Sequence, residues 1–105
     1  MRFIETSVFT RAIGELLNDD QYQSLQLALL GRPGLGSVIR GSGGIRKLRW
    51  ALPGAGKRGG IRVIYFWDEA SETYYMLYAY RKSDQEDLTV KQLRTLARLV
   101  REEFP

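Results

Sequence analysis

Lys47, Arg49, Lys57, Arg58, Arg62, Tyr80 and Lys82 are the side chains of this 105-residue chain best suited to act on a substrate, because the sequence contains neither histidine nor cysteine. The missing histidine removes the usual general base and the usual zinc ligand. The missing cysteine removes the thiolate nucleophile and any disulfide. A reaction must then run on ammonium and guanidinium groups, tyrosine hydroxyls and carboxylates. Guanidinium forks grip phosphate oxygens in pairs, and ammonium groups act on them as point charges.

The charge distribution points to the same kind of ligand. From Gln21 to Trp67 there are eight Lys or Arg and no Asp or Glu, whereas the rest of the chain holds eight bases and twelve acids. A one-sign field attracts polyanions. Repulsion kept within one segment is offset most readily by nucleic-acid phosphates. A cationic surface interleaved with tyrosines suits RNA, whose unpaired bases stack on aromatic rings. Cleavage without histidine is open to such a set if the 2′-hydroxyl attacks the adjacent phosphate in line. The protein then supplies positioning, cations for the charge gathering on the phosphoryl oxygens, and proton transfer. Arg62 and Lys82 suit charge stabilisation. Lys47, crowded by Arg49 and Arg62, is expected to accept a proton, and Tyr80 to donate or relay one. A site of this kind lacks a strong dedicated base and is expected to work on an externally positioned substrate. The plainer reading, a set of solvated surface charges, stays open at this point.

The elements that must position these groups form one domain over residues 1–105, with an apolar fraction of 44% typical of a folded globule. Arg2–Glu5 is a short candidate strand. Val8, Ala12, Ile13, Leu16 and Leu17 recur at helical spacing behind a Thr6 or Ser7 cap, and Asn18-Asp19-Asp20 breaks that helix. Asp20 with Gln23 reads as a capping box for a second helix carrying Tyr22, Leu25, Ala28 and Leu29, stopped by Gly31-Arg32-Pro33-Gly34. From Ile45 the period becomes two. Leu48, Trp50 and Leu52 take one face and Lys47, Arg49 and Ala51 the other, with Arg46 at the strand edge. Ile61–Trp67 reads as a central strand led by Arg62, and Thr73–Tyr80 as the next. On that last strand Tyr74, Met76, Tyr78, Tyr80 and Lys82 share one parity, opposite Tyr75, Leu77 and Ala79. A Thr89/Gln92 capping box opens a closing helix with Val90, Leu93, Leu96, Ala97 and Val100 inside and Lys91, Arg94, Arg98 and Arg101 outside. The order implies an α+β fold: a short strand, a helical hairpin, a three-stranded antiparallel meander with a basic concave face, and a C-terminal helix.

Two glycine-rich stretches fail as nucleotide-binding motifs. Gly54–Gly60 would need a glycine where Ala51 stands and Ser or Thr where Arg58 stands, and it precedes a strand. Gly41-Ser42-Gly43-Gly44 has no helix after it and reads as a turn. No apolar run approaches the length of a membrane span, and Met1-Arg2-Phe3-Ile4-Glu5 lacks a signal-like run, so a cytoplasmic protein with no membrane contact is expected.

The runs Gly43-Gly44-Ile45-Arg46-Lys47-Leu48-Arg49, Gly56-Lys57-Arg58-Gly59-Gly60-Ile61-Arg62-Val63-Ile64-Tyr65, Tyr78-Ala79-Tyr80-Arg81-Lys82 and Asp87-Leu88-Thr89 together resemble the RelE/HigB superfamily of toxins from type II toxin-antitoxin modules, in its HigB-like branch. The resemblance implies a RelE-like fold and a metal-independent endoribonuclease, an mRNA interferase without cofactor. It would cut translated mRNA in the decoding site of the 70S ribosome and be held inactive by a cognate, HigA-like helix-turn-helix antitoxin. It implies catalytic roles for Lys47, Arg62 and Lys82 and RNA or ribosome contacts at Arg46, Arg49, Lys57, Arg58 and Arg81; Tyr80 is added as a substitute proton donor by inference from the residues, not from the family pattern. The chain departs from the pattern at Ser83-Asp84, where Lys-Asn-Glu is frequent, and at Leu88, where some relatives carry a tyrosine. Two alternatives remain: a toxin of the same superfamily that inhibits DNA gyrase without catalysis, and an RNA- or ribosome-binding module without chemistry.

Overall fold

The computed structural model describes residues 1–52 and 60–103. The described chain runs β1 (Arg2–Glu5), α1 (Ser7–Leu16), α2 (Asp19–Gly31), β2 (Ser37–Val38), β3 (Arg46–Trp50), β4 (Ile61–Asp68), β5 (Thr73–Arg81) and α3 (Val90–Glu103). The strands form one sheet in the order β1-β5-β4-β3-β2. The expected meander is its centre. It is extended on one side by β1, parallel to β5, and on the other by the two-residue β2, antiparallel to β3. No helix among the described residues is long and apolar enough to cross a membrane.

The alternation of β3 and the mostly buried β4 create two apolar layers. Leu48, Val63, Tyr65, Tyr74 and Met76 pack with Phe9, Ile13, Leu25 and Leu29 of the helical hairpin on one face. Ile45, Ile64, Leu77 and Tyr80 pack with Ala97 and Val100 of α3 on the other. Covering both faces explains why β4 lacks a polar face of the ordinary kind. Arg62 is the exception in its buried run.

The caps differ partly from expectation. Thr6 caps α1 by accepting from the Phe9 N–H at 3.0 Å. In α2 the box is Asn18 with Gln21, two residues earlier than the sequence suggests. The Asn18 amide accepts from the Gln21 N–H at 2.8 Å, and the Gln21 side chain accepts from the Asn18 N–H at 2.9 Å. Asp19 and Asp20 thereby fall in the first turn, where negative charge complements the helix dipole. In α1 the buried stripe is Phe9, Ile13 and Leu17, while Val8 remains 56% exposed. A ring at Phe9 that meets the Tyr22 ring at 6.0 Å centroid distance removes more apolar surface than a valine would. The Thr89/Gln92 box opens α3 as expected, with both reciprocal bonds at 3.0 Å. Val90 is 68% exposed, displaced from the inner stripe, which Leu99 joins instead.

The single parity expected along β5 is broken. Ile64 pairs with Tyr78 and Tyr65 with Met76, so Leu77 is an inserted residue, a β-bulge. A bulge resets which residues face which side. Tyr74, Met76 and Ala79 therefore face the hairpin layer, while Tyr75, Leu77, Tyr78 and Tyr80 face α3. Thr6 locks the bulge: its N–H donates to the Met76 carbonyl at 3.0 Å and its hydroxyl to the Leu77 carbonyl at 2.9 Å.

Candidate active site

Register brings the site together on the α3 face. Arg62 lies opposite Arg49 on β3 and opposite Tyr80 on β5. Lys47, two residues before Arg49, shares that face. Residues directly opposed in antiparallel strands share a face with Cβ atoms about 5 Å apart, so Arg49, Arg62 and Tyr80 form one row across three strands.

Arg62 is 7% exposed. Its guanidinium donates to the preceding Ile61 carbonyl at 3.2 Å, and among the described residues it makes no ion pair. A buried cation without a carboxylate leaves most of its desolvation cost uncompensated. An incoming phosphate would supply the missing charge.

Tyr80 is 5% exposed, and its buried hydroxyl faces the Asp87 carboxylate, short of full hydrogen-bond geometry. Burial, followed by the nearby Asp87 charge, pushes this hydroxyl up to about 12, with Arg62 acting in the opposite sense. At neutral pH it is therefore a protonated donor beside the Asp87 carboxylate.

Lys47 meets a carboxylate. Its Nζ lies 3.2 Å from Asp87 Oδ1, and the same oxygen accepts from the Leu88 N–H at 2.8 Å. Burial alone would raise the Asp87 carboxyl, but the Leu88 N–H and the Lys47 ammonium outweigh it and hold the group below its ordinary 3.8. The charged neighbour that Lys47 meets at this distance is thus a carboxylate and not one of the cations beside it in the sequence. Asp87 links the cationic row to the segment leading into α3. Sequence reasoning missed it because an acid just ahead of a capping box reads as ordinary helix N-terminal charge. Its place in the run Asp87-Leu88-Thr89 was the available signal.

The remaining candidates divide. Arg49 is exposed beside Arg62 and makes no ion pair among the described residues. Lys82 is half-buried but follows the end of β5, so it no longer belongs to a sheet face; its N–H donates to the Gly60 carbonyl at 3.2 Å. Arg46 takes the other face, opposite Tyr65. Its guanidinium donates to the Gly36 carbonyl at 2.6 Å, where it ties the β2 approach to β3. Arg81 opposes Ile61, on the hairpin side, and reaches Asp84 at 3.9 Å. The fold thus separates Arg46 and Arg81 from the row around Arg62. Lys57 and Arg58 lie outside the described residues. Among the described residues no three Asp or Glu converge to hold a metal ion.

Two cations beside one buried guanidinium, a buried phenol and a tethered carboxylate are the parts required to bind a phosphodiester and move protons around it. Residues 35–103 match the family described as RelE toxin of RelE / RelB toxin-antitoxin system. That span runs from the approach to β2 through α3 and contains every group of the row. The fold is similar to that of a mutant of the E. coli toxin RelE in the free state, with a TM-score of 0.55 and 16% identity over 92% of this chain and 93% of that one.

Proposed function

The chain belongs to the RelE toxin family, and from that premise we propose that it is a ribosome-dependent endoribonuclease that cuts translated mRNA and is neutralised by a cognate antitoxin. The observation that carries this reading is Arg62, a buried guanidinium without an ion-pair partner among the described residues, set directly opposite the buried hydroxyl-bearing Tyr80. A binding module has no need to bury either group; a site that stabilises charge developing on a phosphoryl oxygen has a use for both.

In this reading the scissile phosphate sits over the row. Arg62 neutralises the oxygen charge that grows in the transition state, and Arg49 holds the neighbouring backbone. Lys47, tethered by Asp87, adds a second cation. Tyr80, protonated at neutral pH, donates its proton to the departing 5′-oxygen. Asp87 serves as a positioning residue for Lys47 and is the nearest carboxylate to relay the proton of the attacking 2′-hydroxyl. A carboxyl held below its usual range is a weak base, so efficient cutting requires the ribosome to present the mRNA already bent for in-line attack. Lys82 adds a further phosphate contact, and Lys57 and Arg58 are proposed as RNA contacts from their place in the motif run alone. The chemistry uses no metal.

A HigB-like assignment, a helix-turn-helix antitoxin and a cytoplasmic site of action follow as parts of the same proposal, supported by the motif runs and the exposed cationic face. The test is cleavage of a reporter mRNA by wild-type and Arg62→Ala protein with and without ribosomes.

A further inference from the structure

The β-bulge at Leu77 turns a second tyrosine toward the site. Tyr78 joins the face that α3 covers, opposite Ile64 and in line with Lys47, while Tyr80 lies opposite Arg62. Bulges beside functional sites re-aim side chains in this way. The two rings are 5.8 Å apart between centroids and inclined by 34°, and the two residues are about 7 Å apart along the strand. Tyr78 therefore borders the row around Arg62 and takes no part in it. Its ring also forms one wall of a cavity of ≈ 380 Å³ between the start of α1, β5 and α3, with Leu77, Leu96 and Leu99 as further apolar walls. Val8 lines the same cavity and is 56% exposed, so the cavity opens to solvent. Two polar groups line it with capacity to spare. Gln92 uses its carbonyl twice, accepting from Gln85 Nε2 at 2.6 Å and from the Thr89 N–H at 3.0 Å, and its Nε2 has no acceptor among the described residues. The Thr95 hydroxyl donates to the Lys91 carbonyl at 3.0 Å, so its oxygen can still accept. The occupant that fits is apolar on its faces, carries donors and acceptors on its edge, and is joined to a phosphate held at the neighbouring row. An apolar side chain of a protein partner would leave the Gln92 amide and the Thr95 oxygen unmatched. A nucleobase turned out of its stack meets all three conditions.

We propose that Tyr78 and the cavity it shares with Leu96, Leu99, Gln92 and Thr95 form a pocket for one unstacked nucleobase of the RNA whose phosphate lies at the Arg62 row. The inference rests on the reading of this protein as an enzyme that cuts RNA, and it adds to that reading the group that fixes which nucleotide is placed for cutting. Tyr78 stacks on the base, the leucines cover its other face, and Gln92 and Thr95 meet its edge.

The experiment is anisotropy of a short labelled RNA oligonucleotide, 2′-O-methylated so that it cannot be cut by its own 2′-hydroxyl, titrated with the full chain. Replacing one base at a time by an abasic site is expected to weaken wild-type binding by about 5- to 150-fold at a single position, the scale of one stacked base, and to change little elsewhere. Tyr78→Phe keeps the ring and is expected to retain that sensitive position. Tyr78→Leu, with circular dichroism as the folding control, is expected to bind the parent oligonucleotide at the weakened level and to lose the difference between base and abasic site. Equal wild-type affinities for the parent and every abasic oligonucleotide, or no binding of any, overturn the proposal without recourse to a variant and leave the cavity to an apolar protein segment. A folded Tyr78→Leu that still distinguishes the abasic position overturns it as well. Base dependence at one position together with intact mRNA in the ribosome assay would leave the pocket standing while the nuclease reading falls; ribosome-dependent cuts without base dependence would do the reverse.

Discussion

Lys47 and Asp87 join β3 to the segment that enters α3, with Nζ and Oδ1 3.2 Å apart. The carboxylate is itself pinned by the Leu88 N–H, so the ammonium is held over the sheet face that carries Arg62. The side chains are 27% and 63% exposed, and an ion pair so open to solvent contributes at most about 1 kcal/mol to stability. Its importance lies in position. Asp87→Asn is expected to leave the unfolding midpoint within a few degrees of wild type and RNA affinity equal or tighter, because a negative charge leaves a cationic face. Cleavage is expected to fall by roughly 10- to 100-fold, the scale of loss from small displacements of a catalytic group. Parallel measurements of binding and of single-turnover cleavage check this split. A matching loss in both would assign Asp87 to structure alone.

Tyr80 yields the opposite pairing of effects. Its buried hydroxyl faces the Asp87 carboxylate short of full hydrogen-bond geometry, so Tyr80→Phe removes a desolvated polar atom together with a weak contact and is expected to change stability by no more than about 1 kcal/mol. Cleavage is expected to fall by about 100-fold as the proton donor disappears. The pH dependence follows from the upward shift. The unfolded tyrosine ionises near its ordinary 10.0 and the folded one near about 12. The stability associated with this group is therefore complete below pH 10 and is lost as pH rises toward about 12. Urea titrations at pH 9 and pH 11 are expected to show a smaller alkaline loss in Tyr80→Phe than in wild type. Equal losses would place the hydroxyl in water.

Thr6 tests the bulge. One side chain both caps α1 and donates to the Leu77 carbonyl, beside its N–H bond to Met76. Thr6→Val keeps the shape and removes both side-chain bonds. It is expected to cost about 1 to 2 kcal/mol from the cap, with more added if the Leu77 carbonyl is left unsatisfied. Chemical denaturation measures it. A loss under a few tenths of a kcal/mol would show that the bulge holds without Thr6.

Much of this was legible in the sequence because period and capping are local. The alternation of Lys47 and Arg49 against Leu48 and Trp50, the apolar run around Arg62 and the Thr89/Gln92 box each follow from residue types at fixed spacing, and the structure has all three. What stayed hidden depends on residues far apart. The Leu77 bulge arises where α1 and β5 meet, and no spacing within β5 announces it. The pairing of Lys47 with Asp87 spans forty residues, so the charge facing Lys47 could not be foreseen from its sequence neighbours. The resemblance groups Arg46 with Lys47 and Arg49, whereas its guanidinium donates to the Gly34 and Gly36 carbonyls on the other face, as its parity implies. β2 is two residues long, too short for any periodic signal.

The central claim is that Arg62 stabilises charge on a phosphate being cut. Because Arg62 is a buried cation without an ion pair among the described residues, Arg62→Ala is expected to fold at least as stably as wild type. The direct measurement is primer extension on a reporter mRNA in a bacterial translation extract with both proteins, beside co-sedimentation of each with ribosomes. The account predicts cuts that require ribosomes and wild-type protein, that vanish with Arg62→Ala, and that do so while most ribosome binding remains. Intact mRNA at every concentration of wild-type protein, above all with inhibition of DNA gyrase supercoiling by the same preparation, would contradict it.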